Sequence, residues 1–186
     1  MKATDYDGDL SAFLTTYRYQ PDLTKSLDGL EKSFEQADVN EIVFWKVNRY
    51  AQLSRETLRE LNGVVDLKPG SHKSASKAVS ALLRERGVDL PMASTLLRFR
   101  NPRVFQIIDG HAYRAISGAD HSAFWGSTIE SKVELYFRYL DDLIDLARAK
   151  NVDFQALDRV LYEFDKKKNG TLKSHAGRKR PSVNAS

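Results

Sequence analysis

The sequence predicts an all-α protein, on three observations. Apolar residues recur three and four apart in one segment after another, which lines one face of a helix. Capping residues open these segments, and Gly or Pro closes them. No two alternating apolar runs are joined by a tight turn, as a pair of strands would require. At 186 residues the chain suffices for one domain with a real core, plus a tail.

The first 20 residues are acidic and mixed, with Phe13, Leu14, Tyr17 and Tyr19 available to pack and a helix expected only at 10–18. Leu23, Leu27, Leu30 and Phe34 keep helical spacing, so 22–37 is a predicted helix. Asp38 or Asn40 can cap the next, 40–52. Its Ile42, Val43, Phe44, Trp45, Val47 and Tyr50 make it apolar on most sides, which suits a central position. Ser54 can cap a short helix that stops at Gly63, and 64–72 is a loop around Pro69-Gly70-Ser71.

The helix at 73–86 carries Ala75, Ala78, Val79, Leu82 and Leu83 on one side and ends at Gly87. Another runs from about 91 to 99, and Asn101-Pro102 stops it. A short helix follows at 110–117, then a loop with Phe124 and Trp125. Ser127-Thr128-Ile129-Glu130 reads as a capping box for the longest helix, 128–149. Its inward residues are Ile129, Val133, Tyr136, Phe137, Leu140, Leu143, Ile144 and Ala147. Asp153 caps the last helix, 154–165, with Phe154, Leu157, Leu161 and Phe164 inward. From Lys166 apolar residues nearly vanish. The expected organisation is a helical domain over 1–165 and a basic, disordered tail over 166–186.

The chain has no Cys, which excludes disulfides, Cys-bound zinc and Cys-held iron–sulfur clusters. The four His, His72, His111, His121 and His175, show no metal-ligand spacing, so no metal is assigned. The start lacks the apolar core of a signal peptide, and no apolar run approaches the ~20 residues of a membrane span. A soluble protein of the cytoplasm is expected.

The net charge of +4 hides an uneven distribution. Residues 67–114 hold 9 basic and 3 acidic side chains, and 166–186 hold 7 basic and none acidic. The remainder is acidic. A local basic patch on an acidic body suits a polyanion bound at one site, and an ordinary solvated face is the alternative. The candidate phosphate contacts are Lys73, Lys77, Arg98, Arg100, Arg103 and Arg114.

The chemistry is expected at Pro102-Arg103-Val104-Phe105-Gln106-Ile107-Ile108-Asp109-Gly110-His111-Ala112-Tyr113-Arg114. The apolar run carries the chain inward to one acid at the mouth of a helix. That arrangement holds a carboxylate oriented and partly desolvated. It is also what a simple N-cap looks like. Upstream, Gly87-Val88-Asp89-Leu90-Pro91-Met92-Ala93 joins two helices in a tight hairpin. Backbone N–H groups at Gly87 and Val88 could hold a phosphate without reading sequence.

Hairpin, helix, Asn-Pro stop, apolar run, Asp-Gly and helix together resemble the helix-hairpin-helix DNA glycosylase superfamily. Phe105-Gln106-Ile107-Ile108-Asp109-Gly110 with Arg114 is most similar to its endonuclease III-like and adenine-mismatch branch. The resemblance covers 82–116 and extends over 38–116. It implies a compact helix-hairpin-helix fold that works as a monomer on double-stranded DNA with the target base flipped out. It implies Asp109 as the catalytic carboxylate and Glu41 as a second acid, with favouring of a helix N-terminus as the alternative role of Glu41. Trp45, Asn48 and His111 would contact the flipped base, with Trp45 as plain core the alternative.

Departures refine the expectation. Asp89 stands where the family hairpin has a second Gly. Pro91 stands where bifunctional members carry a Schiff-base lysine. The iron–sulfur module is absent. The resemblance therefore implies a monofunctional enzyme without metal or cofactor, excising a damaged, mismatched or modified base in DNA repair or on modified phage DNA. The rival readings are an inactive glycosylase-like DNA-binding module and a helical interaction protein whose Asp109 is only a cap.

Overall fold

The structure, a computed structural model, describes residues 1–19, 21–47, 53–119 and 128–172. Among these every regular element is a helix. The α-helices are α1 (Pro21–Asp28), α2 (Gln36–Val47), α3 (Arg55–Gly63), α4 (Ser76–Arg84), α5 (Leu90–Arg100), α6 (Gly110–Ser117), α7 (Ile129–Lys150) and α8 (Leu157–Asn169). Short 3-10 turns occupy Ala3–Asp5, Ser11–Thr16, Val64–Asp66, His72–Ala75 and Phe154–Ala156. The predicted loop with Phe124 and Trp125, Asn48, Tyr50 and most of the tail lie outside the described residues.

Local signals set most boundaries. Ser54 caps α3 by accepting from the Thr57 N–H, and Asp153 accepts from the Gln155 N–H ahead of α8. Asn101 ends α5, as the Asn-Pro pair predicts. Gly87 adopts φ +84° in the turn between α4 and α5, where a residue with a Cβ would be strained.

Four expectations need correction. The helix predicted over 22–37 stops at Asp28, and a second one starts at Gln36. The reason is tertiary: Asn62 of α3 accepts from the Phe34 N–H at 2.6 Å and donates to the Phe34 carbonyl at 3.1 Å. Those bonds satisfy in non-helical form the groups a continuous helix would have paired. Asp38 is not the cap of α2 but sits at its third position, reaching back to the Glu35 N–H at 2.8 Å. The cap of α7 is Thr128, which accepts from Ser131 N, one residue beyond the expected Ser127. The predicted inward face of α7 also omitted Tyr139 and Leu146, both buried.

Helix α5 runs through the core, with Leu90, Met92, Ala93, Leu96, Leu97 and Phe99 all buried. It packs on α2, α3 and α4, while α6 packs on α7 and α8. Helix α8 continues to Asn169, past the domain boundary drawn at 165. Asn169 donates to Asp165 at 2.7 Å and to the Met1 carbonyl at 3.0 Å. The last turn of α8 is thereby tied to the first residue.

The segment 104–108 is wholly buried and non-helical, so its backbone groups need partners from elsewhere. Tyr136 of α7 donates to the Gln106 carbonyl at 2.9 Å, and Tyr139 to the Ile107 carbonyl at 2.8 Å. The Ile108 N–H donates to Ser94 Oγ of α5 at 3.1 Å. Two core helices therefore fix the backbone that delivers Asp109.

A candidate active-site cleft at Asp109

Asp109 caps α6: one carboxylate oxygen accepts from the Ala112 N–H at 2.8 Å. The capping role read from the sequence is real, and the residue is half-buried rather than enclosed. The same side chain lines a cleft of about 180 Å³, small against the ~300–1,000 Å³ typical of drug-sized ligands. Ile107 of the same segment adds to its wall, and the rest comes from three distant parts of the chain: Tyr17 and Tyr19, Trp45 and Lys46 of α2, and Asp158, Arg159 and Tyr162 of α8.

The rim is aromatic and internally braced. Tyr17 and Tyr162 meet edge to face with ring centroids 6.3 Å apart. The Arg159 guanidinium lies 5.8 Å from the centre of the Tyr17 ring. Trp45 is 5% exposed and packed edge-on between Tyr19 and Phe99, and its Nε1 donates to Thr24 at 2.7 Å. It is a fixed wall.

Charge in and around the cleft is ordered. Asp158 is 5% exposed, and one of its oxygens accepts from the Arg159 N–H at 2.8 Å. The other lies 3.6 Å from Arg98 Nε, an ion pair rather than a hydrogen bond. Asp28 of α1 binds both Arg98 and Arg159. Burial works against the Arg98 charge, but Asp158 and Asp28 outweigh it and raise its proton affinity above the ordinary value. Burial, and after it the field of Asp158, pushes the Tyr17 phenol up, against the opposing pull of Arg159 and Arg98. Tyr139 is raised in the same way, by burial first and then by Asp109 and Asp158, which keeps its hydroxyl a donor.

Beside the cleft, Asp165 is fully buried and gathers three partners. His111 Nδ1 lies at 2.7 Å, Arg114 binds through Nε and Nη2, and Asn169 donates at 2.7 Å. Burial would raise the Asp165 carboxyl, but the hydrogen bonds from His111, Arg114 and Asn169 hold it below its usual range. The His111 ring packs edge-on to Tyr162, 5.0 Å between centroids, so His111 stands one ring away from the cleft.

Several candidate residues are placed elsewhere. Glu41 is exposed on α2 and does not line the cleft, although Trp45 one turn on does. Arg98 and Arg100, expected as phosphate contacts, are 3% and 4% exposed and face the interior. Arg100 lies over the Phe34 ring at 5.5 Å, and burial lowers its proton affinity against the pull of Asp66. Lys73 pairs with Asp141 at 2.9 Å, Lys77 with Glu60 at 2.6 Å, and Arg114 with Asp165. Arg103 remains exposed.

In the turn, Gly87 is exposed, but Val88 is buried and its N–H donates to the Glu85 carbonyl at 3.2 Å. Asp89 accepts from the Leu90 N–H at 2.7 Å and pairs with Lys132 at 2.6 Å. A carboxylate thus already occupies the N-terminus of α5 that a phosphate would use.

The sequence did not single out Tyr17, Tyr19, Asp158, Arg159 and Tyr162 as site residues. One signal was present. Leu157, Asp158, Leu161, Phe164 and Asp165 keep helical spacing, so two acids fall on the core face of α8. Acids placed there need partners or a function.

Among the described residues no cluster of His, Asp and Glu is placed to hold a metal ion, and no helix is long and apolar enough to cross a membrane. Compared with protein-family models, with curated proteins and with solved structures, the chain matches none.

Proposed function

We propose that the protein is a DNA glycosylase that hydrolyses the N-glycosidic bond of a damaged, mismatched or modified base in double-stranded DNA, acting as a monomer in the cytoplasm without metal or cofactor. One observation carries the reading. Asp109 is anchored through one oxygen at the mouth of α6 and lines a small aromatic cleft. Further support comes from the order of α4, a short turn, α5, the buried run 104–108 and Asp109, on which the sequence's resemblance to helix-hairpin-helix glycosylases rests.

Departure of a base builds positive charge on the sugar. A preorganised carboxylate stabilises that charge, and Asp109 needs no rearrangement to do so. The rings of Tyr17 and Tyr162 would border a flipped base, and Asp158 would accept hydrogen bonds from its donor edge. Glu41 leaves the scheme, because it does not reach the cleft.

The test is single-turnover excision on a panel of duplexes carrying different lesions and modified bases, followed by Asp109→Asn on the substrate found. Asn keeps a capping oxygen, so stability should change by no more than about 1 kcal/mol. Loss of the charge should slow excision by about 10²-fold or more. A variant retaining over about a tenth of the rate, less than ~1.4 kcal/mol of barrier, reduces Asp109 to a cap.

A further inference from the structure

Asp158 lines the cleft together with Asp109 and carries an acceptor that the fold leaves unused. It stands in the first turn of α8, is 5% exposed, and one oxygen accepts from the Arg159 N–H at 2.8 Å. The other oxygen, Oδ2, lies 3.6 Å from Arg98 Nε, beyond hydrogen-bond length. Among the described residues nothing donates to it. A role as counter-ion to Arg98 does not use that oxygen up. Arg98 already donates through Nη1 to Asp28 and through Nη2 to the Gln155 carbonyl, and its Nε stays without a hydrogen-bond partner.

A buried carboxylate oxygen without a donor is costly, so it favours an occupant of the cleft that brings one. The bases of nucleic acids divide on this point. Cytosine, adenine and guanine carry an exocyclic amino group, which donates to a carboxylate. Thymine and uracil carry only carbonyl oxygens as exocyclic polar groups, and these turn lone pairs toward the same charge. We propose that Asp158 is a specificity-determining residue that selects a base bearing an exocyclic amino group, whatever modification the rest of the ring carries. This rests on the reading that the cleft receives a flipped base.

The other polar groups of the cleft agree with that choice. Burial, and after it the field of Asp158, pushes the Tyr17 phenol up, so its hydroxyl stays protonated and can donate to a carbonyl or ring nitrogen of the same base. Lys46 and Arg159 are donors that a base rich in carbonyls would use. Neither depends on one: Lys46 is half-buried and keeps access to water, and Arg159 is bound to Asp28. Asp158 is the buried member of the set. A base that leaves its oxygen unpaired is therefore rejected more strongly than one that leaves Lys46 or Arg159 to solvent.

The experiment titrates the full chain, by calorimetry, with three pairs of deoxynucleosides that differ in one amino group, so no base has to be excised. The pairs are deoxycytidine against deoxyuridine, deoxyadenosine against purine deoxyriboside, and deoxyguanosine against deoxyinosine. In at least one pair the amino member should bind wild type about 10-fold more tightly or better. Asp158→Asn keeps the size of the side chain but offers an amide N–H₂ as well as an oxygen, so the preference should disappear. Circular dichroism shows whether the variant folds, and the wild-type comparison decides without it. Equal affinity within every pair, preference for the members without the amino group, no binding of any nucleoside, or an undiminished preference in folded Asp158→Asn overturns the assignment. An amino preference that depends on Asp158, in a protein that excises no base from the lesion panel, keeps this assignment and loses the glycosylase reading. Excision from the panel without an amino preference does the reverse.

Discussion

The Tyr139 hydroxyl of α7 donates at 2.8 Å to the carbonyl of Ile107, two residues before Asp109. Both partners are buried, so no solvent can replace the bond. The position of the capping acid therefore depends on a side chain 30 residues downstream of it.

Tyr139→Phe should keep the packing and leave the Ile107 carbonyl without a donor. The expected cost is about 1–3 kcal/mol in denaturant unfolding. If the function proposed above holds, excision should fall further than binding, because the backbone carrying Asp109 loses one of its three anchors. Unchanged stability would mean that this bond contributes nothing to holding the segment.

Arg98 distinguishes a structural cation from a nucleic-acid contact. It is buried against Asp158, Asp28 and the Gln155 carbonyl. Arg98→Met should strand the buried Asp158 and cost about 3–5 kcal/mol. Arg103→Ala, at an exposed position, should leave stability within about 0.5 kcal/mol. Parallel urea titrations of the two variants decide, and equal stabilities would contradict the buried ion-pair network.

His72 makes stability depend on pH. It is 1% exposed, and burial lowers its proton affinity below the ordinary 6.5, with Lys73 acting the same way and Asp141 opposing. The unfolded chain then binds the proton more readily than the folded one. Stability is fully present above 6.5 and declines as pH falls from there toward the folded value. His72→Phe should flatten that part of the slope in unfolding midpoints measured across the window. An unchanged slope would assign the effect to other groups.

The end of α8 predicts different outcomes for two truncations. Removing everything after Leu172 leaves α8 and the Asn169 contacts intact, and cooperative unfolding should be unchanged. Removing everything after Asp165 deletes Asn169, a donor to the buried Asp165, and the contact with Met1. That chain should lose about 1–3 kcal/mol, the cost of an under-satisfied buried acceptor. Thermal unfolding of both chains is the measurement, and equal midpoints would show that the last turn of α8 adds no stability.

The sequence by itself determined what depends on neighbours along the chain. Ser54 at α3, Asp153 ahead of α8, the Asn101-Pro102 stop and Asp109 at the mouth of α6 were all legible, because a cap or a stop acts within one helical turn. The long amphipathic face of α7 was legible for the same reason. Tertiary structure decided what depends on partners far away in sequence. Asn62 breaks the helix expected over 22–37 by taking both backbone groups of Phe34. Asp28 and Asp158 draw Arg98 into the core, although its sequence neighbourhood reads as a basic surface. The cleft joins residues 17–19, 45–46, 107–109 and 158–162, and no periodicity within one segment encodes a cavity shared by four. The reach of a local signal is a turn of helix, whereas burial, ion pairing and the shape of a cavity are settled only when the elements pack.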